Sequence, residues 1–393
     1  MRCPPLGRTT GVGNRPASPE AVSADPHAAP AAVALLPDRR RLAVRLAAVA
    51  AALAALGLAV SSLPGLDAVR EQLAGASLGW LALAGALQVG SCLAYVVVFR
   101  GVFCRRLPWR LSYEVAIAAQ GTNVLLPSGG AGGLAVAAWA LRQTGMPAER
   151  IARRTVAFYL LTSAVNFCTA VLAGGLLALG ILAGGGSLAL TAGPAVAAAL
   201  VIAAVLALPR VLASDSAARP RTGRVGRLLV SARGALNSGI RDGVLLARSR
   251  NPQILGGAIG FMVLDAAALL AAFAAIGPVP PVGVLLLAYV VGQLGGLIPL
   301  PGGVGGADGG LIAALVVYGT PLTSAAAAVL AYRAFQFGLP ALLGGLAVAR
   351  LPRVVQRAPD TGLLCEPQLQ ASRRGGARTP APRVAVGAQA STA

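Results

Sequence analysis

The chain has 393 residues, 56% of them hydrophobic and 12% charged, with a mean hydropathy of +0.74. That composition excludes an ordinary soluble domain and points to an integral membrane protein. The 33 basic residues are all arginine, and with 13 acidic residues they give a net charge of +20. Because the arginines sit beside apolar runs, the excess reads as membrane orientation and attraction to anionic lipid, and nucleic acid is not expected as a partner. Heavy use of Ala, Gly, Arg and Pro without lysine reads as GC-rich, bacterial coding.

Five scattered cysteines (Cys3, Cys92, Cys104, Cys168 and Cys365) imply no disulfide framework and no metal site. The only histidine, His27, lies in the Pro- and Arg-rich leading segment, which argues against metal binding and histidine catalysis. No nucleotide-binding GxxxxGK[ST] pattern occurs, and no cofactor or enzyme activity is expected.

In chain order, residues 1–38 read as a disordered tail. An apolar run near 42–63 follows Arg39, Arg40 and Arg41, and reads as an uncleaved first span with a cytoplasmic N-terminus. Further full spans are predicted near 78–99, 155–182, 188–208, 253–276 and 322–348. Two more apolar segments, 111–141 and 282–318, are each split by a glycine-rich break. The first break is Leu126-Pro127-Ser128-Gly129-Gly130-Ala131-Gly132-Gly133, and the second is Leu300-Pro301-Gly302-Gly303-Val304-Gly305-Gly306. Each is followed by a short apolar run and a Gly-x-Pro (Gly145-Met146-Pro147 and Gly319-Thr320-Pro321). The breaks lie 173 residues apart at Gly133 and Gly306, and the Gly-x-Pro motifs 174 apart at Gly145 and Gly319. A motif repeated in register across two halves marks an internal repeat, and broken backbone at membrane depth is tolerated only inside protein or along a cavity.

Arginine counts assign the loops. Arg100, Arg105, Arg106 and Arg110 place 100–110 inside, as do Arg142, Arg150, Arg153 and Arg154 after the first break. The basic link 209–252 is also inside, while 183–187 and Gly277–Pro281 are uncharged and read as outside. Every loop obeys the rule if both split segments are re-entrant hairpins. The predicted architecture is an all-α polytopic membrane protein with about six full spans and two re-entrant hairpins. Units 78–182 and 253–348 form an inverted repeat within a membrane domain 39–350, followed by a disordered tail 351–393. The alternative is eight spans, with each split segment crossing as one kinked helix. The expected location is the plasma (inner) membrane, with both termini cytoplasmic.

The runs Asn123–Gly133 and Ile298–Gly306, followed by Asp308 and by Tyr332-Arg333 in the last helix, resemble the flippase-like family, also called the lysylphosphatidylglycerol synthase transmembrane region. The resemblance covers roughly residues 40–350. It implies a module that moves a phospholipid between leaflets. In relatives a separate soluble domain attaches an amino acid to that lipid, and others are tied to lipid-linked glycan pathways. The residues present hold no synthase domain. Asp308 stands where the family usually has Glu, and no arginine directly follows the first break, since Leu134–Leu141 is apolar.

The candidate substrate-binding residues are Arg333, Asp308, Asn123, Ser128, Gly129, Gly130, Gly302, Gly303, Tyr332 and Asp265. A mid-span guanidinium costs at least ~2.5–3.5 kcal/mol to insert, so Arg333 is expected to face a cavity or a partner. It either grips a lipid phosphate or pairs with Asp308 or Asp265. Asp308 caps a half-helix or gates Arg333. Asp265 serves the site or forms a salt bridge stapling the halves. Asn123, Ser128 and Gln293 either hydrogen-bond backbone groups freed at the breaks or touch the headgroup, and half-helix N-termini offer an anion site. Glu114 is expected to be solvated at the interface, and Gln88 and Asn166 to form interhelical hydrogen bonds. The expected function is translocation of a phosphate-bearing lipid, with membrane lipids and a separate lipid-modifying enzyme as partners. The alternatives are secondary transport of a small anionic or amphipathic solute, or a non-catalytic membrane subunit.

Overall fold

A computed structural model describes residues 67–125, 131–184, 186–214, 224–295 and 306–359, together with Ala47 and Cys365. The first predicted span, most of both glycine breaks, and the proposed contacts of Ser128, Gly129, Gly130, Gly302 and Gly303 lie outside the described residues. What is described is all helical, as composition demands for a chain whose backbone polar groups must be satisfied within apolar surroundings.

A short helix α1 (Asp67–Ala74) precedes α2 (Leu78–Phe103). The first split segment forms α3 (Trp109–Leu125) and α4 (Ala131–Gln143), followed by α5 (Ala148–Ala178) and α6 (Leu188–Ser214). The basic link contains an amphipathic helix, α7 (Arg224–Arg248). Then come α8 (Pro252–Ile276), the second split pair α9 (Val282–Gly295) and α10 (Gly306–Val317), and the long α11 (Leu322–Gln356). α11 runs on past residue 350, because its final turns pack Leu351 and Val355 inward. Five helices (α2, α5, α6, α8 and α11) are long and apolar enough to cross a membrane, and each coincides with a predicted span.

Both split segments fold back on themselves. In the first, the Gly133 amide donates to Asn123 Oδ1 at 2.8 Å, and a Cβ on Gly133 would collide with the Ala119 carbonyl. In the second, a Cβ on Gly292 would fall 2.7 Å from that of Leu311. A single kinked helix could not bring residues 10 to 19 positions apart into such contact, because a helix rises 1.5 Å per residue.

The two Gly-x-Pro motifs build the same joint. Gly145 (φ 87°) and Gly319 (φ 93°) take the left-handed conformation. Gly145 donates its amide to Arg142 O, and Met146 donates to Leu141 O. Gly319 donates to Val316 O, and Thr320 to Leu315 O. Each is a Schellman closure, in which glycine reverses the chain without a Cβ penalty. Pro147 and Pro321 then start the next helix with φ −61° and −57°. The larger pairing is reciprocal as well. α2 packs on α8, while α3 packs on α11 and α9 on α5, so the hairpin of each unit leans on the last helix of the other.

Close helix approach rests on glycine, as expected where apolar surroundings provide no hydrophobic drive between helices. α3 and α11 touch backbone to backbone at Gly121 and Gly344. α2 and α8 meet where a Cβ on Gly257 would lie 2.6 Å from the Val98 nitrogen, and the Ser91 hydroxyl donates to the Phe261 carbonyl at 2.9 Å. Around this seam Tyr95 stands edge-on to Phe158 and to Phe261, with ring centroids 5.1 and 5.3 Å apart.

The arginine-bearing ends are clamped. Arg100 donates to the Leu107 carbonyl at 2.8 Å and lies 4.3 Å over the Trp109 ring. Arg153 and Arg154 of α5 pair with Asp242 of α7 at 2.9 and 3.9 Å. The expectation of no disulfide is overturned: Cys104, just after α2, is bonded to Cys365, beyond α11. Arg150 donates to the Cys365 carbonyl at 2.8 Å. Scattered spacing hid this bond because its partners are 261 residues apart and meet only through tertiary folding. Both residues are almost inaccessible, at 5% and 1%, and thiol exchange needs access. A mild reductant should therefore leave the bond intact in folded protein and cleave it after denaturation. Alkylation followed by mass spectrometry reads both states.

Candidate functional site

The polar residues of the second unit converge from four helices. Asp265 sits mid-way along α8 and is 4% exposed. Its Oδ2 accepts from the Tyr289 hydroxyl of α9 at 2.6 Å, from the Tyr332 hydroxyl of α11 at 2.7 Å, and from Gln336 Nε2 at 3.2 Å. Gln336 Nε2 also donates to the Tyr332 hydroxyl at 2.6 Å. Tyr332, Arg333 and Gln336 share one region of α11 because residues three and four apart are neighbours on a helix.

Arg333 forms an ion pair with Asp308 in the first turn of α10, and its Nη1 donates to Gln336 Oε1. Its guanidinium carbon lies 5.5 Å from the ring centroids of both Tyr332 and Phe337, a cation–π distance. The side chains of Arg333 and Asp308 are 12% and 19% exposed, so the pair is sheltered yet reachable. Arg333 and Asp265 are joined through Gln336, which donates to one and accepts from the other. The site thus holds two carboxylates, one guanidinium and three neutral polar side chains in an otherwise apolar bundle.

These contacts sort the predicted residues. Arg333, Asp308, Tyr332 and Asp265 come together. Asn123 does not join them and instead satisfies the Gly133 amide across the first hairpin. Of the two readings of Asp265, the salt bridge does not form among the described residues: tyrosines and a glutamine hold that carboxylate, while Asp308 takes the guanidinium. Glu114 is not solvated but 5% exposed, and its Oε2 has no hydrogen-bond partner. It lies on α3, which packs on α11, and local sequence could not disclose that burial. The amide oxygens of Gln88 and Asn166 lack partners too, contrary to expectation. Tyr289 and Gln336 were missed. A glutamine in an apolar helix, three residues after an arginine, was the available signal for Gln336.

The 174-residue offset exposes an asymmetry. It carries Asp265 to Ser91, Tyr289 to Val115, Tyr332 to Phe158, Arg333 to Tyr159 and Gln336 to Thr162. The second set of positions therefore carries ionic groups, and the positions 174 residues earlier carry aromatic and small neutral groups.

The model of the lysylphosphatidylglycerol synthase TM region family matches residues 43–344. The chain belongs to this family. No individual curated protein matches it. The family match spans every residue of the Asp265–Arg333 cluster, and the protein is a polytopic membrane protein of that family.

Proposed function

We propose that this family member translocates a phosphate-bearing lipid between leaflets without catalysing a covalent reaction. The observation that carries the reading is Arg333, a guanidinium held within an apolar bundle by a carboxylate on the half-helix that follows a glycine break. A buried ion pair is weak evidence for stability, and keeping one at membrane depth calls for another reason. A lipid phosphate can replace Asp308 as the partner of Arg333, because a guanidinium fork accepts either oxyanion in the same geometry. Gln336 then follows the guanidinium while its amide stays on Asp265. The acyl or prenyl tails remain in the bilayer and only the headgroup uses the polar path.

In this reading the folded-back segments enter the membrane from opposite faces as an inverted repeat, and the arginine-rich ends are cytoplasmic in the plasma membrane. Internal repeats with broken helices at mid-depth are a transporter architecture, which supports the assignment. A separate lipid-modifying enzyme would supply the substrate.

The test is leaflet exchange in liposomes, followed by quenching an outer label on anionic, zwitterionic or polyprenyl-phosphate lipids. Arg333→Ala should reduce exchange at least tenfold while Asp308→Asn keeps measurable exchange, with both variants monodisperse by size exclusion. Wild-type exchange by folded Arg333→Ala would remove Arg333 from the mechanism. No exchange of any lipid by the wild type would favour transport of a soluble anion.

A further inference from the structure

A second cationic feature lies at the other end of α11. Arg350 and Arg353 on that helix and Arg357 at its C-cap stand three and four residues apart, and with Arg110 at the start of α3 they line an open cleft of about 480 Å³. Pro108, Leu111, Val354, Ala358 and Pro359 complete its walls. All four arginines are exposed. Among the described residues none of them forms an ion pair, whereas Arg153, Arg154 and Arg333 all do. The carboxylate that feels Arg350 and Arg110 is Glu114, which is buried and whose Oε2 has no hydrogen-bond partner. Among the described residues, four guanidiniums against one carboxylate leave an excess of three positive charges around this concavity. Positive-inside placement accounts for arginines at this end of the molecule. It does not account for four of them, unpaired, converging on one cleft from two helices that are far apart in sequence.

We infer that this cleft binds a phosphate carrying two or more negative charges, that is, a phosphomonoester or diphosphate group. A phosphodiester carries one charge and would leave most of the excess uncompensated. A monoester carries about −1.5 to −2 at neutral pH and offers three oxygens to several guanidinium forks. Arg350 is seventeen residues from Arg333, about 25 Å along the helix at 1.5 Å per residue, so this is a separate site. The inference does not depend on lipid movement. The shared chemistry could be presented by a lipid headgroup or by a free phosphate compound.

The experiment uses the full chain in phosphatidylcholine nanodiscs. One arm adds phosphatidic acid, a monoester lipid, or phosphatidylglycerol, a diester, at equal mole fraction. The other arm titrates inorganic diphosphate. Binding is read by thermal shift and isothermal calorimetry on wild type, on Arg353→Gln/Arg357→Gln, and on a charge-matched control, Arg241→Gln/Arg248→Gln. The expected result is a stabilisation by phosphatidic acid that exceeds that of phosphatidylglycerol, weakened at least tenfold in the cleft variant and retained in the control. Competition by diphosphate, or binding of diphosphate alone, assigns the free group as a ligand. Binding of phosphatidic acid that diphosphate does not displace assigns the lipid. Equal response to both lipids, equal loss in both variants, or no binding in either arm overturns the inference. Leaflet exchange is not measured in this experiment, so either result leaves the translocation reading to its own test.

Discussion

Replacing Gly344 with valine is expected to separate α3 from α11 and to lose the folded monomer in mild detergent. The Cα atoms of Gly121 and Gly344 each occupy the space where the other's Cβ would be, and the crowding atoms are backbone, which cannot rotate away. Overpacking a core costs about 1–3 kcal/mol when side chains can adjust, and here they cannot, so ~3 kcal/mol is a lower bound. Gly121→Val should behave alike. Gly338 provides the control, because it lies on the same helix with nothing within 4 Å of the site of its Cβ. Gly338→Ala should be neutral or slightly stabilising through helix propensity. Melting followed by fluorescence-detected size exclusion compares all three. Equal melting of Gly344→Val and Gly338→Ala would contradict the backbone contact on which the α3–α11 pairing rests.

Asp265→Ala is expected to have the second large effect. One oxygen accepts from two buried hydroxyls and an amide, and its removal strands all three. A buried donor left without a partner costs about 1–3 kcal/mol. The losses overlap because Gln336 also bonds Tyr332, so a total near ~3–5 kcal/mol is expected rather than a simple sum. Asp265→Asn keeps an acceptor oxygen and should recover part of the loss. Tyr289→Phe and Tyr332→Phe should each cost about 1 kcal/mol, and Tyr332→Phe more than Tyr289→Phe because it also frees Gln336. The order Asp265→Ala, then Tyr332→Phe, then Tyr289→Phe, read from thermal melting in nanodiscs, is the diagnostic. A silent Asp265→Ala would mean that the carboxylate is not the hub of the network.

The five membrane-length helices and the two split pairs were legible because span length and a pair of glycine breaks are strong local signals, whereas α1 and the amphipathic α7 were read as loop and link. The Gly-x-Pro motifs even marked the joints, since a left-handed glycine followed by a helix-starting proline has few alternatives. Asp265, Asp308, Tyr332 and Arg333 were legible because polar groups inside apolar runs stand out. Their partnerships were not, because charge matching alone favours Asp265 and Asp308 equally for Arg333. The choice is made by which helix faces α11, and by Gln336 standing between the two ends of the network. Glu114 was misread for a similar reason. Its place near an arginine-rich loop suggested water, but α3 is packed on α11 and Glu114 is buried in the folded chain.

The bond between Cys104 and Cys365 has a further, biosynthetic meaning. Its first cysteine follows the second predicted span and its second lies beyond the last helix, so it cannot close until α3 to α11 have left the ribosome and reached the membrane. Insertion and packing must therefore succeed on a linear chain. Closure then turns the stretch from α3 to α11 into a covalent ring tied to the end of α2. Where the compartment at this end is oxidising, the bond acts as a late seal on correct assembly, because a chain that mispacks α11 would keep two free thiols.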